Sequence, residues 1–187
     1  MSASVNLPDL WQQPFELLRE LERLARVALS GQGQDAPAAE WVGVAFRLGS
    51  ESFLAAREET REVLSYPSLV TRVPGAKAWI RGIANVRGQL LPVVDLRAFL
   101  GGGLTSVGRG TRLLVVNHRE VPAGLLVDEV LGFRRFADGE FCAAPPPTLA
   151  RCERYLAGAF KRGMQNWPVF SLRTLLGSDE FLKAAAS

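Results

Sequence analysis

"NVRGQLLPVVDLRAFLG", Asn85 to Gly101, is the stretch on which the reading of this chain turns. Arg87-Gly88 lies between apolar segments, and Gly88 permits the positive φ that a two-residue hairpin turn requires. A strand-like run then passes through Pro92 into Asp95, whose carboxylate suits a helix N-cap because it accepts a backbone N–H. About two helical turns follow and close at Gly101, where glycine tolerates a left-handed conformation. Pro92 brings no N–H to a ladder, so its strand is expected at a sheet edge or at a bulge. The arginine at the turn is either a solvated charge or a contact.

The pattern recurs downstream. Residues 79–101 lie over 155–177 at an offset of 76 without a gap, and Gly82/Gly158, Gln89/Gln165, Pro92/Pro168, Val93/Val169, Leu96/Leu172, Arg97/Arg173, Leu100/Leu176 and Gly101/Gly177 coincide. Ser171 takes the capping place of Asp95. Glu62-Val63-Leu64 likewise echoes Glu129-Val130-Leu131 at an offset of 67, so nine extra residues (76 − 67) fall inside the second unit. Its stretch "DGEFCAAPPPTLARCE" holds them as a loop. Two related units point to two lobes.

From Trp41 onward the apolar period is two. "WVGVAFRLG" and "SFLAAREE" flank Gly49-Ser50-Glu51 as a hairpin, and "RLLVVNHREVPAGLLVDEVLGF" repeats the design around His118-Arg119-Glu120. Further upstream the period changes. Pro14 suits a first helical position, and Leu17, Leu21, Leu24 and Ala28 recur at helical spacing, so residues 14–30 read as an amphipathic helix. Gly31 ends it, and "GQGQDAPAAE" reads as a linker.

Length and composition bound the function. The chain has 187 residues, 48% apolar and 22% charged, enough for one substantial domain or two small lobes with a shared core. The net charge is +3, and 19 of the 22 basic residues are arginines scattered along the chain, which does not make the clustered patch of a nucleic-acid surface. No run approaches the ~18 apolar residues of a membrane span, and the N-terminus lacks the features of a secretory signal, so the expected location is cytoplasmic.

No catalytic constellation assembles. Gly103 to Gly110 reads G-x-x-x-x-G-R-G, but a phosphate loop needs Lys then Ser/Thr and a following helix, and here a strand follows. His118 is the sole histidine and reads as a solvated hairpin-tip residue, so no multi-histidine metal site is available. A His118–cysteine dyad with Cys142 or Cys152 is the weaker alternative to ordinary thiols. Asp95 is explained as a cap, and the neighbours Asp128 and Glu129 would face opposite sides of a strand.

The run from Val70 to Gly101, "VTRVPGAKAWIRGIANVRGQLLPVVDLRAFLG", resembles the CheW family, the coupling proteins of bacterial chemosensory arrays. The family pattern is a V-T-R-[IV]-P opening, a G-[VI]-x-N-[LV]-R-G hairpin and a P-[IV]-[VI]-D-L-R strand and cap; "VPAGLLVDEVLGF" is similar to its apolar V-D-x-V segment. The resemblance covers about residues 42–177. It implies a mainly β fold of two small five-stranded, SH3-like β-barrel lobes with short helices around a shared apolar core. An N-terminal helix and linker, residues 1–40, would then be added to a CheW-like domain of residues 41–187. The extension and "NWPVF" resemble the PilI-type variant of type IV pilus (twitching motility) systems.

The resemblance also implies a non-catalytic adaptor without metal or cofactor. Such a protein bridges the cytoplasmic hairpin of a methyl-accepting chemoreceptor to the regulatory domain of a CheA-like histidine kinase. It works in the cytoplasm at membrane-bound arrays, without inserting into the membrane. Arg87 then borders the groove that receives the receptor tip, where its five donors suit carboxylates and helix-end carbonyls. Asn85, Val86, Gly88, Glu62 and Val63 are the other receptor-facing candidates; Val63 reads equally as core and Glu62 as a solvated charge. The kinase face is expected on apolar strand edges of the first lobe, including Phe53 and Leu54, which read equally as barrel core. Gly163 to Trp167 departs from the family pattern, so no contact is carried over there. The competing reading, motivated by a pI of about 9.2, is a small β-barrel nucleic-acid-binding protein. That reading needs exposed aromatics along a basic groove, whereas the aromatics here fall in apolar strand-like segments.

Overall fold

The computed structural model describes residues 40–118, 120–148, 150 and 152–183. The helix expected over 14–30 and its linker lie outside these residues. Among the described residues eleven strands form two sheets. The six-stranded sheet has the order β8 (Glu129–Ala137), β1 (Glu40–Leu48), β2 (Glu51–Ala56), β11 (Gln165–Phe170), β10 (Leu156–Arg162), β9 (Phe141–Cys142). The five-stranded sheet runs β3 (Thr60–Ser65), β6 (Arg112–Val116), β7 (Gly124–Val127), β5 (Gln89–Asp95), β4 (Ile80–Val86). The mainly β, two-lobed expectation is met, and the two-residue β9 is the sixth strand that the sequence did not suggest.

The two sheets repeat one topology. β8, β1, β2, β11 and β10 stand in the same order as β3, β6, β7, β5 and β4, and in each sheet the one parallel contact joins the proline-bearing strand to a hairpin. The hairpins are exchanged: β1–β2 from the first half pairs with β8 and β11 of the second, and β6–β7 from the second half pairs with β3 and β5 of the first. Neither half of the sequence completes a sheet from its own strands.

Alternation along the strands feeds three cores. Val44, Phe46 and Leu48 of β1, Phe53 and Ala55 of β2, Val94 of β5, Leu114 and Val116 of β6, and Leu125 and Val127 of β7 meet in one cluster shared by both sheets. The intervening residues point the other way. Ala45 and Leu54 join Phe136, Phe160 and Trp167 in a second cluster, and Leu113, Val115 and Leu126 join Leu91 and Val93 in a third. Strands buried on both faces read as continuous apolar runs, which explains "LLVV" and "GLLV".

Pro92 and Pro168 lie on interior strands, against the edge expectation. Ile83, opposite Pro92, gives its own N–H and C=O to Thr71 (2.8 and 2.9 Å). The Pro92 nitrogen therefore faces the β7 side, where pairing begins only at Val93. β11 meets β2 at Val169, likewise one residue past its proline. The irregularity falls on the hairpin partners, with register shifts at Ile80/Gly82 and Leu156/Gly158. Gly82 and Gly158 have φ of 140° and 145°. A Cβ there would lie 2.2 Å from the Thr71 carbonyl oxygen and 2.5 Å from the Phe141 ring.

Both predicted caps form. Asp95 accepts from Ala98 N–H (3.1 Å) at the start of α1 (Leu96–Phe99), and Ser171 accepts from Thr174 N–H (3.1 Å) at α2 (Leu172–Leu176). Gly101 is left-handed at φ 83°. Gly177 is right-handed, with φ −82°, because the chain turns there into α3 (Asp179–Leu182) instead of leaving the helical region.

Candidate partner-binding site

The β4–β5 hairpin turns on Arg87 and Gly88 with φ of 52° and 83°, so both central residues are left-handed, as a type I′ turn requires. Arg87 is the one non-glycine residue with positive φ among those described. The Asn85 carboxamide oxygen accepts Gly88 N–H at 2.8 Å and holds the turn closed. In the second lobe Gly163-Met164 occupies this place, with φ 61° at Gly163, and Met164 stands fully in solvent.

Arg87 meets Glu62. Its Nη2 lies 3.1 Å from Glu62 Oε2, with the guanidinium side chain 77% exposed and the carboxylate 21%. Beside them Arg61 Nη1 donates to Gln89 Oε1 at 3.2 Å. β3 ends one side of the strand order and β4 the other, so these bonds bring the tip of the β4–β5 hairpin to β3. The result is a polar corner whose cation is paired yet open to a partner. Val86 is half-buried against the core of its own lobe, and Val63 against the shared core, so each supports the corner from beneath.

Phe53 and Leu54 correct the expectation of a kinase-facing edge. β2 lies between β1 and β11, inside the six-stranded sheet that carries the second repeat unit. Both side chains are 0% exposed, Phe53 in the shared core and Leu54 in the second cluster. Alternation sends one to each side of a sheet covered on both faces, so neither offers contact surface.

In the six-stranded sheet β8 is joined to β10 by different chemistry. Phe136 of β8 stacks on Phe160 of β10 with centroids 4.6 Å apart, and Arg162 lies 4.5 Å over the Phe136 ring. Arg162 donates from Nε and Nη2 to Glu140 at 2.7 Å each, and from Nη2 to the Arg135 carbonyl at 2.7 Å. These bonds, with Ala137 N–H donating to the same carboxylate at 2.8 Å, hold Glu140 well below the usual carboxylate range, at about 2. Arg162 thus clamps Glu140 and covers the Phe136 ring, a structural role that nothing in its sequence neighbourhood announces.

The remaining chemical candidates have structural work. His118 is half-buried, and its Nδ1 accepts Glu120 and Val121 N–H at 3.3 and 3.1 Å, so the imidazole closes its own turn. Asp128, in the bend between β7 and β8, accepts Gly49 N–H and faces Arg97, whereas Glu129 at the start of β8 binds Arg47. Cys142 is exposed, and burial pushes the Cys152 thiol up. Among the described residues no three His, Cys, Asp or Glu side chains gather as metal ligands. No helix among them is long and apolar enough to cross a membrane. Among the described residues Phe133 and Phe141 are the only markedly exposed aromatics, so most of the described rings that stacking on nucleic acid would need are in the cores.

The CheW-like domain model matches residues 42–180. This chain belongs to the CheW-like family. The CheW-like chain is 41% identical to protein PilI of Pseudomonas aeruginosa over 175 residues, covering 93% of this chain and 97% of that protein. It is 37% identical to protein FrzA of Myxococcus xanthus over 54% of this chain and 62% of that one. Its structure is similar to the crystal structure of the scaffolding protein TtCheW from Thermoanaerobacter tengcongensis, with a TM-score of 0.65 and 26% identity over 75% of this chain and 94% of that one. As a CheW-like scaffold protein it is non-catalytic.

Proposed function

We propose that this CheW-like protein is an adaptor that couples a chemoreceptor's cytoplasmic hairpin to a CheA-like histidine kinase, in a chemosensory system controlling type IV pilus twitching motility. The observation that carries the coupling role is the Arg87–Glu62 corner. A strained turn presents a guanidinium that is 77% exposed although paired, in a chain whose family comprises scaffolds. Arg87 and Asn85 are the residues proposed to meet the receptor, with Gly88 shaping the turn, Glu62 orienting the guanidinium, and Val86 and Val63 forming the apolar base. The pilus assignment rests on similarity to PilI across nearly the whole of both chains. Recruitment from the cytoplasm to receptor arrays follows from the same reading.

A bridge has a concentration optimum. At large excess, separate copies occupy receptor and kinase and no ternary assembly forms, which is mass action on a two-sided binder. The test is titration of this chain into fixed receptor fragment, kinase and ATP, following kinase autophosphorylation. Receptor control should appear, saturate and then reverse. A response without reversal, or full receptor control in the absence of the chain, removes the adaptor mechanism.

A further inference from the structure

The outer edge of β4 is crossed once, where Thr71 pairs with Ile83. Away from that crossing the chain leaves the strand, and a groove of about 450 Å³ opens between residues 66–73 and 76–81. Its exposed lining is more polar than apolar: Arg72 and Lys77 bring charge beside aliphatic patches at Val70, Val73, Ile80 and Leu104. Val73 is 41% exposed, Leu104 52%, and the neighbouring Leu69 75%. A third cation in the lining, Arg81, is engaged: its Nη2 donates to the Thr105 carbonyl at 2.9 Å and its Nε lies 3.7 Å from Asp95. Arg72 and Lys77 have no ion pair or side-chain hydrogen bond among the described residues, and no carboxylate lines the groove.

An aliphatic surface left in water favours covering by a bulky apolar side chain. Two unpaired cations beside it favour carboxylates on the covering segment. Nucleic acid is the poorer fit, since the only aromatic in the lining is half-buried Tyr66 and there is no ring platform for bases. We propose that this groove docks a short linear segment of a protein partner, one or two bulky apolar side chains flanked by acidic residues. The surface is separate from the Arg87 corner: Arg87 lies six residues beyond Arg81, roughly 20 Å at the rise of an extended strand.

The experiment is an amide chemical-shift titration of the full chain. The probe is a hexapeptide with a Leu-Phe centre and two glutamates on each side. The amides of residues 66–81 and Leu104 should shift saturably, and added salt should weaken the binding. The double variant Arg72→Glu/Lys77→Glu should lose at least tenfold in affinity and come to prefer the lysine-flanked peptide. Val73→Ser, which changes no charge, should also weaken binding and keeps the test open if the double variant melts early. The proposal is overturned if millimolar acidic peptide leaves those amides unmoved, or if neither variant alters the binding. It is also overturned if a random single-stranded oligonucleotide shifts them while the peptide does not.

Discussion

Arg87 Nη2 lies 3.1 Å from Glu62 Oε2, although the two residues belong to opposite ends of a five-stranded sheet. The pair therefore ties the tip of the β4–β5 hairpin to β3, and it holds a left-handed arginine at that turn. Two consequences separate. A left-handed non-glycine residue costs about 1–2 kcal/mol of backbone energy, while an exposed ion pair returns little.

Arg87→Gly and Arg87→Glu should then differ in stability and agree in function. Glycine relieves the φ of 52°, so Arg87→Gly should melt at or above the parent temperature. Arg87→Glu should stay within about 0.5 kcal/mol, as exposed substitutions do. Both should lose receptor binding. Unchanged receptor affinity in either variant returns this arginine to a merely solvated turn. Measurements are thermal melting and receptor-fragment binding on the same samples.

The equivalent caps Asp95 and Ser171 should not cost the same. Ser171→Ala removes a cap and should cost about 1 kcal/mol. Asp95 is fully buried and also accepts Thr105 N–H and Oγ1–H at 2.8 Å each, facing Arg81. Asp95→Ala strands these donors and should cost about 3–5 kcal/mol. Urea denaturation of the two variants gives the comparison; equal losses would mean that the buried network contributes nothing.

Glu140 should titrate far from its unfolded value. Its folded pKa is depressed to about 2 by the Arg162 bonds first and the Ala137 N–H second. Its contribution to stability is therefore complete above the ordinary carboxylate pKa of about 4.3 and is lost as pH falls through about 2. A carboxyl-carbon NMR titration should place the Glu140 midpoint near 2. Glu140→Gln should flatten that part of the acid-stability profile, and a midpoint near 4 would show that the Arg162 clamp does not persist in solution.

The exchanged hairpins predict that neither half folds alone. A break near Gly108 gives fragments 40–107 and 108–183, each of which carries a hairpin that belongs in the other's sheet. Each fragment should show poor amide dispersion by itself, and the mixture should regain the spectrum of the intact chain. A well-dispersed spectrum from either fragment alone would contradict the exchange.

Local chemistry determined much of this protein from sequence alone. Hairpin turns at Gly49-Ser50 and Arg87-Gly88, caps at Asp95 and Ser171, and period-two strands all depend on residues within four positions of each other, so their spacing is legible without a fold. The repeat was legible from matching spacings, whereas the role of Asn85, Arg87 and Gly88 came only from the resemblance to the CheW family, since these positions do not match across the repeat. Tertiary structure decided what depends on distant partners. β1–β2 completes the opposite half's sheet through pairing with β8 and β11, and no local pattern encodes which half that is. The same exchange buries Phe53 and Leu54, whose alternation announces two faces but not that both are covered. Pro92 is tolerated inside a sheet because the β7 ladder starts one residue later, and Glu62 reaches Arg87 because the tip of the β4–β5 hairpin lies beside β3. Both follow from strand order and twist, which are set by packing three cores at once rather than by any short stretch of residues.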